Sequence, residues 1–228
     1  MGAVLYGIGI GPGDYELITL KALRIINENN VIAFPKTGGE KNAAFDTVSK
    51  VADLRGKQVL ELSFPMIRDK EQLNKNYQKN CDIIEKYLKN GQNVVFISIG
   101  DISVYSTFGY INDIIKNRGY ETIMIPGVTS FCAAASALGI SLTSKSEPVH
   151  IIPAVYGGID EYMSQRGTKI FMKSGALVED IKKAARENGV IEKSYLAGNC
   201  GFDDEKLCSL EEAYGKMGYF TTIIVKDN

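Results

Sequence analysis

The sequence predicts an α/β protein of two α/β domains. The first rests on a mostly parallel five-stranded sheet and the second on a mixed sheet. Three observations predict this. Short apolar runs alternate with helical patterns five times in the N-terminal part of the chain. A second set of apolar runs follows Pro148. The chain, at 228 residues, is long enough to bury two cores.

The first five runs are of strand length: 3–10 (AVLYGIGI), 31–34 (VIAF), 58–63 (QVLELS), 93–99 (NVVFISI) and 121–126 (ETIMIP). Helical patterns at 15–28, 42–53, 69–89, 105–117 and 129–138 separate and follow them. Strand-then-helix units of this kind give parallel strands with helices on both faces. The second set of strands is expected at 149–154, 168–173, 194–198 and 219–226, with helices at 176–187 and 209–216. The boundary falls between Pro126 and Pro148, and we divide the chain as 1–126 and 127–228. "KTGGEKN" at 36–42 is the most loop-like stretch. No internal repeat or low-complexity tract interrupts the pattern.

Composition excludes several classes. Apolar residues make up 45% and charged residues 23%, which describes a globular chain. The formal net charge is -1, so no nucleic-acid partner is expected. No secretory leader or membrane-length apolar run is visible, which points to the cytoplasm and to no membrane partner. Cys81, Cys132, Cys200 and Cys208 form no CxxC, and His150 is the only histidine. A protein-bound metal is therefore not expected, and neutral thiols in a reducing compartment are. His150 in "PVHIIPA" reads as a strand residue, and nothing near it resembles a nucleophile elbow.

"GIGIGPGD", residues 7–14, ends the first strand. A dinucleotide fingerprint needs glycines spaced by two and then three. From Gly7 the third position is Pro12, and from Gly9 it is Asp14. A phosphate loop needs Lys-Ser or Lys-Thr after its last glycine, but Asp14 follows Gly13. Asp14 reads instead as the cap of a helix starting near Tyr15. The glycines are expected to permit a sharp turn and a close backbone approach by a ligand that is not a phosphate.

Two further loops lie at the same sheet edge. "SIGDISVYSTF" (98–108) ends the fourth strand, and "IPGVTSFCAAAS" (125–136) ends the fifth. Gly100 and Gly127 again allow close backbone approach, and Asp101, Ser103, Tyr105, Thr129 and Ser130 bring polar groups. Each polar residue has an alternative reading: Thr129 or Ser130 caps the next helix, and Asp101 is a turn residue. Three converging loops at strand C-termini predict a binding cleft.

These residues carry a family resemblance. "GIGPGDYELITLKALRII", "GD" with "VYSTF", and "PGVTSFCAAAS" resemble the tetrapyrrole methylases, which use S-adenosylmethionine. The resemblance runs nearly end to end, to "YFTTIIVK". "VIAFPK", "FPMIRDKEQL" and "YSTFGY" are most similar to the subgroup that methylates C-20 of precorrin-2 or cobalt-factor II in cobalamin biosynthesis. One departure is visible: Gly100-Asp101-Ile102-Ser103 stands where the family usually has "GDPS".

The resemblance implies S-adenosylmethionine folded in a cleft between the two domains, and a homodimer. Carried over residue by residue, the cofactor contacts fall on Pro12, Ile99, Gly100, Asp101, Val104, Thr129, Ser130 and Met172, with Ala197 from a looser match. Met172 reads equally as a strand-core residue. Because the methyl donor is already activated, alignment and exclusion of water are the protein's main tasks. Asp101 is the first candidate for accepting the C-20 proton, although it would also serve to hold the cofactor. Lys173 would pair with a substrate carboxylate, and Tyr105 would stack on the macrocycle or bond at its edge. A ring with acetate and propionate arms calls for scattered cations, and Lys36, Arg68, Lys70 and Lys145 are candidates, Arg68 foremost. The alternatives are methylation at another ring position such as C-11, a non-tetrapyrrole target, or a non-catalytic module that binds a nucleoside or a macrocycle.

Overall fold

The computed structural model describes residues 2–36, 42–65, 67 and 69–227. It contains two compact units, Met1–Thr129 and Ser130–Asn228. The fold class is the expected one. Among the described residues, no helix is long and apolar enough to cross a membrane.

The first unit runs β1 (Val4–Gly9), α1 (Leu20–Glu28), β2 (Val31–Lys36), α2 (Ala43–Ser49), β3 (Gln58–Ser63), α3 (Lys70–Lys89), β4 (Val94–Ser98), α4 (Phe108–Asn117) and β5 (Glu121–Ile125). Strand order is β3-β2-β4-β1-β5, and every neighbouring pair is parallel. Alternation along each strand divides the core. Leu5, Val94 and Phe96 face α3 and α4, where they meet Ile84, Phe108 and Ile111. Ile8, Val95 and Ile97 face α1 and α2, where they meet Ile25, Ile26 and Val48. Each such side chain contributes about 1.5–3 kcal/mol on burial.

This arrangement positions the site. β1 and β4 are neighbours, yet the helices that follow them, α1 and α4, pack on opposite faces. Their C-terminal ends therefore flank a topological switch point, where open α/β sheets hold ligands.

The helix expected over 15–28 is broken in two. Asp14 caps a 3₁₀ turn at Tyr15–Leu17 through the amide of Glu16 (2.9 Å), with Glu16 in its first turn. Thr19 then caps α1 through the amide of Ala22 (3.2 Å).

The second unit contains α5 (Ser130–Ala137), β6 (Val149–Pro153), α6 (Ile159–Met163), β7 (Thr168–Met172), α7 (Val178–Glu187), β8 (Ser194–Gly198), β9 (Lys206–Ser209) and β10 (Thr221–Val225). Strand order is β6-β7-β10-β8-β9, with β6 and β7 parallel and the remaining pairs antiparallel. Phe171, Leu196 and Ile223 pack against Val178, Ile181 and Ala185 of α7. Ala197 and Ile224 pack against Ala134 and Ala135 of α5 on the other side. Lys169 of β7 is 1% exposed and is paired with Asp227.

Strand β9 was not expected, and the helix expected at 209–216 is a run of turns. The carbonyls of Glu211 and Ala213 accept from Nζ of buried Lys182. Gly215, at φ +73°, closes the segment in a left-handed conformation that a helix does not propagate. His150 lies on β6, as expected, with Nε2 2.9 Å from the carbonyl oxygen of Arg166.

Candidate functional site

The loops after β1, β4 and β5 join into one junction built almost wholly of backbone. Gly11 and Gly100 exchange reciprocal bonds: Gly11 N–H donates to Gly100 (3.2 Å) and Gly100 N–H to Gly11 (2.7 Å). A Cβ on Gly9 would lie 2.6 Å from the Gly100 oxygen and 2.8 Å from the Gly127 nitrogen. A Cβ on Gly127 would lie 2.5 Å from the same oxygen. Gly9 and Gly127 are thus needed so that the loops can touch one another, a closer reason than approach of a ligand. Gly100, at φ +77°, holds the left-handed turn between them.

Asp101 is the strut of this junction. It is 8% exposed. Oδ1 accepts from the amide of Ser103 (2.8 Å) and from its hydroxyl, while Oδ2 accepts from the amide of Gly127 (2.9 Å). Burial pushes the carboxyl pKa up, but the bonds from Ser103 and Gly127 outweigh burial and hold it below the ordinary aspartate value. Both oxygens are committed to donors of the protein. A low-pKa carboxylate in that state is a poor proton acceptor and a good clamp.

Gly7 has a different reason. A Cβ there would lie 2.3 Å from Cε1 and Cζ of Phe108. The missing side chain lets the first ring of α4 lie on β1. Sequence reasoning missed this pairing. Its signal was available: Gly7 and Gly9 share one face of a strand, and an aromatic opens a later helix.

The remaining site candidates distribute as follows. Pro12 is buried, and Ile99 and Val104 are half-buried. Tyr105 is 43% exposed at φ +47°, a backbone region that bulky residues rarely enter and that is enriched at functional sites. Thr129 carries the one buried side-chain polar atom without a hydrogen-bond partner among the described residues, its Oγ1. Ser130 opens α5, Met172 ends β7, and Ala197 lies in the core of the second unit. Lys173, at φ +57°, sets its ammonium 5.2 Å from the Tyr219 ring centre. Lys36 is exposed at the end of β2, 4.0 Å from Glu61. Lys70 opens α3, and Lys145 sits at φ +52°. Arg68 lies outside the described residues.

The donor set fits a neutral nucleoside and an amino-acid chain. It consists of the partnerless buried hydroxyl of Thr129 and the apolar side chains of Pro12, Ile99 and Val104, carried on loops that the glycine contacts hold together. Among the described residues, no group of three or more His, Cys, Asp or Glu side chains stands ready for a metal.

A probable cobalt-precorrin-2 C(20)-methyltransferase of Methanocaldococcus jannaschii is 37% identical over 204 residues, covering 89% of this chain and 85% of the relative. The cobalt-precorrin-2 C(20)-methyltransferase of Salmonella typhimurium is 27% identical over 232 residues, covering 99% and 97%. A solved cobalt precorrin-4 methyltransferase superposes with a TM-score of 0.78 at 21% identity, covering 98% of this chain and 94% of that one. A uroporphyrin-III C-methyltransferase from Thermus thermophilus, solved with S-adenosyl homocysteine, gives 0.70 at 21% identity, covering 99% and 92%. The profile of the tetrapyrrole (corrin/porphyrin) methylases matches residues 4–213, and the chain belongs to that family.

Proposed function

We propose that this protein transfers a methyl group from S-adenosylmethionine to C-20 of precorrin-2 or cobalt-factor II, in cobalamin biosynthesis. The observation that carries the reading is the similarity to C(20)-methyltransferases along nearly the whole of both chains. The glycine junction supports the cofactor assignment. We further propose a homodimer in the cytoplasm, on the strength of the family resemblance.

When bound, S-adenosylmethionine supplies a methyl group already activated on a sulfonium. The residues of this chain then have to align and to exclude water. In this reading Pro12, Ile99, Gly100 and Val104 offer backbone and apolar contacts, and the partnerless hydroxyl of Thr129 meets a ligand acceptor or donor. The family carry-over adds Ser130, Met172 and Ala197. Asp101 holds the loops that do the holding, since its oxygens already accept from Ser103 and Gly127. The C-20 proton leaves to water. Tyr105 and Lys173 serve the substrate, Tyr105 at the ring and Lys173 at a carboxylate, and Lys36 and Arg68 are further carboxylate partners.

The test is incubation with labelled S-adenosylmethionine and either metal-free precorrin-2 or cobalt-factor II, with product mass and label position read together. Label at C-20 is expected. Label elsewhere would move the protein to another position in the family. That outcome has its own support in a cobalt-precorrin-4 C(11)-methyltransferase of M. jannaschii, 25% identical over 88% of this chain and 75% of its own. Cofactor binding without transfer to any tetrapyrrole would reduce the protein to a binding module.

A further inference from the structure

Five aromatic rings in the first unit form a ladder that leads from the core to the surface. Phe108 packs on Phe96 (5.4 Å between ring centres), Phe96 meets Phe64 edge to face (6.1 Å), and Phe64 meets Tyr77 (6.2 Å). Tyr77 and Tyr110 close the series as a parallel stack, 4.7 Å apart and inclined by 7°. Phe96 and Phe108 are fully buried and Phe64 and Tyr77 half-buried, whereas Tyr110 is 56% exposed although one of its faces is covered by Tyr77.

The ladder stands at the ligand edge of the sheet. Phe64 directly follows β3, Tyr77 lies in the second turn of α3, and Tyr110 lies in the first turn of α4. Both helices start where their strands end, at the C-terminal edge that carries the glycine junction. Tyr105, exposed and held at positive φ, lies on the chain between that junction and Tyr110. The segment from Asp101 to Tyr110 therefore links the strut of the cofactor loops to a rigid, outward-facing aromatic plate.

We propose that the Tyr77–Tyr110 stack is a positioning surface for the tetrapyrrole, with the exposed face of Tyr110 packing on the macrocycle. A large flat ligand needs a flat apolar partner of fixed orientation. Aromatic plates supply this at low entropic cost when the ring is already held. Tyr77 and the rings beneath it do the holding. The proposal rests on the reading of the substrate as a tetrapyrrole.

The experiment titrates cobalt-factor II against wild type, Tyr110→Phe, Tyr110→Leu and Tyr110→Ala, following the absorbance of the macrocycle. S-adenosylhomocysteine affinity is measured in parallel by calorimetry. Tyr110→Ala and Tyr110→Leu are expected to weaken tetrapyrrole binding about tenfold, the equivalent of one aromatic contact. Tyr110→Phe keeps the plate and should stay within about twofold of wild type. S-adenosylhomocysteine affinity should not change in any variant. Unchanged tetrapyrrole affinity in Tyr110→Ala, or an equal loss for both ligands, overturns the proposal while leaving the function standing. A wild-type protein that binds neither cobalt-factor II nor metal-free precorrin-2 overturns the substrate reading itself, and this proposal with it.

Discussion

Replacing Asp101 by asparagine separates clamp from base with one atom. Asparagine has the shape of aspartate but one acceptor oxygen in place of two. In the native junction, Oδ1 serves Ser103 and Oδ2 serves Gly127. If the asparagine oxygen keeps Ser103, its amino group faces the amide of Gly127, donor against donor. One charge-assisted bond is lost and one buried amide is left unpaired, which costs about 2–3 kcal/mol. For a chain of this length that lowers the midpoint of thermal unfolding by about 5–10 °C. The pH dependence has a definite sign. A carboxyl whose folded pKa lies below its unfolded value stabilises above the unfolded pKa, and that contribution disappears as the pH falls through the folded value. The gap between wild type and Asp101→Asn should therefore close below about pH 4. Because the loop after β5 is released, S-adenosylhomocysteine should bind about tenfold more weakly, while turnover at saturating cofactor stays within a few-fold. Thermal unfolding across pH, calorimetry and turnover measure the three effects. Wild-type stability would refute the strut. Normal affinity with turnover reduced about a hundredfold would make Asp101 the proton acceptor after all.

The other predictions concern the core. Gly7→Ala should destabilise by about 2–3 kcal/mol through collision with Phe108, and adding Phe108→Leu should recover part of that loss. Additive losses in urea unfolding of the double variant would show that the two positions are not coupled. Cys81 is fully buried, and burial pushes its thiol up to about 12, so it should stay unlabelled by a thiol reagent at pH 8 in the native protein while it reacts in denaturant. Counting labelled cysteines by mass checks this.

The parallel sheet was legible because its strands are short, mostly apolar segments, each followed by a helix signal. Trimming at the ends has identifiable causes. Helix α4 starts at Phe108 and not at 105, since Tyr105 at φ +47° is not helical. The helix expected at 209–216 has helical composition, but a buried lysine from another element takes its carbonyls, and no local pattern reveals that. Strand β9 escaped because "KLCS" is a short edge strand with no apolar run. The three loops that meet at the junction were legible from glycine and short polar residues at strand ends. What those glycines do was not. Gly9 and Gly127 make room for each other's loops, and Gly7 makes room for a ring that lies 101 positions along the chain (108 − 7), all contacts that require the fold.

The glycine junction has a consequence for how such a protein diversifies. Where three loops meet through main chain and one buried carboxylate, few side chains are available to exchange for another. Substitution there changes geometry and cannot retune chemistry. In the proposed reading this junction is the methyl-donor end of the site, and it is the part least open to substitution. On that reading, adaptation to a new acceptor falls to the outward side chains between Val104 and Tyr110 and on α3, which can vary without loosening the junction. Relatives that act at C-20 and at C-11 on one scaffold are what a fixed donor end and an editable rim would produce.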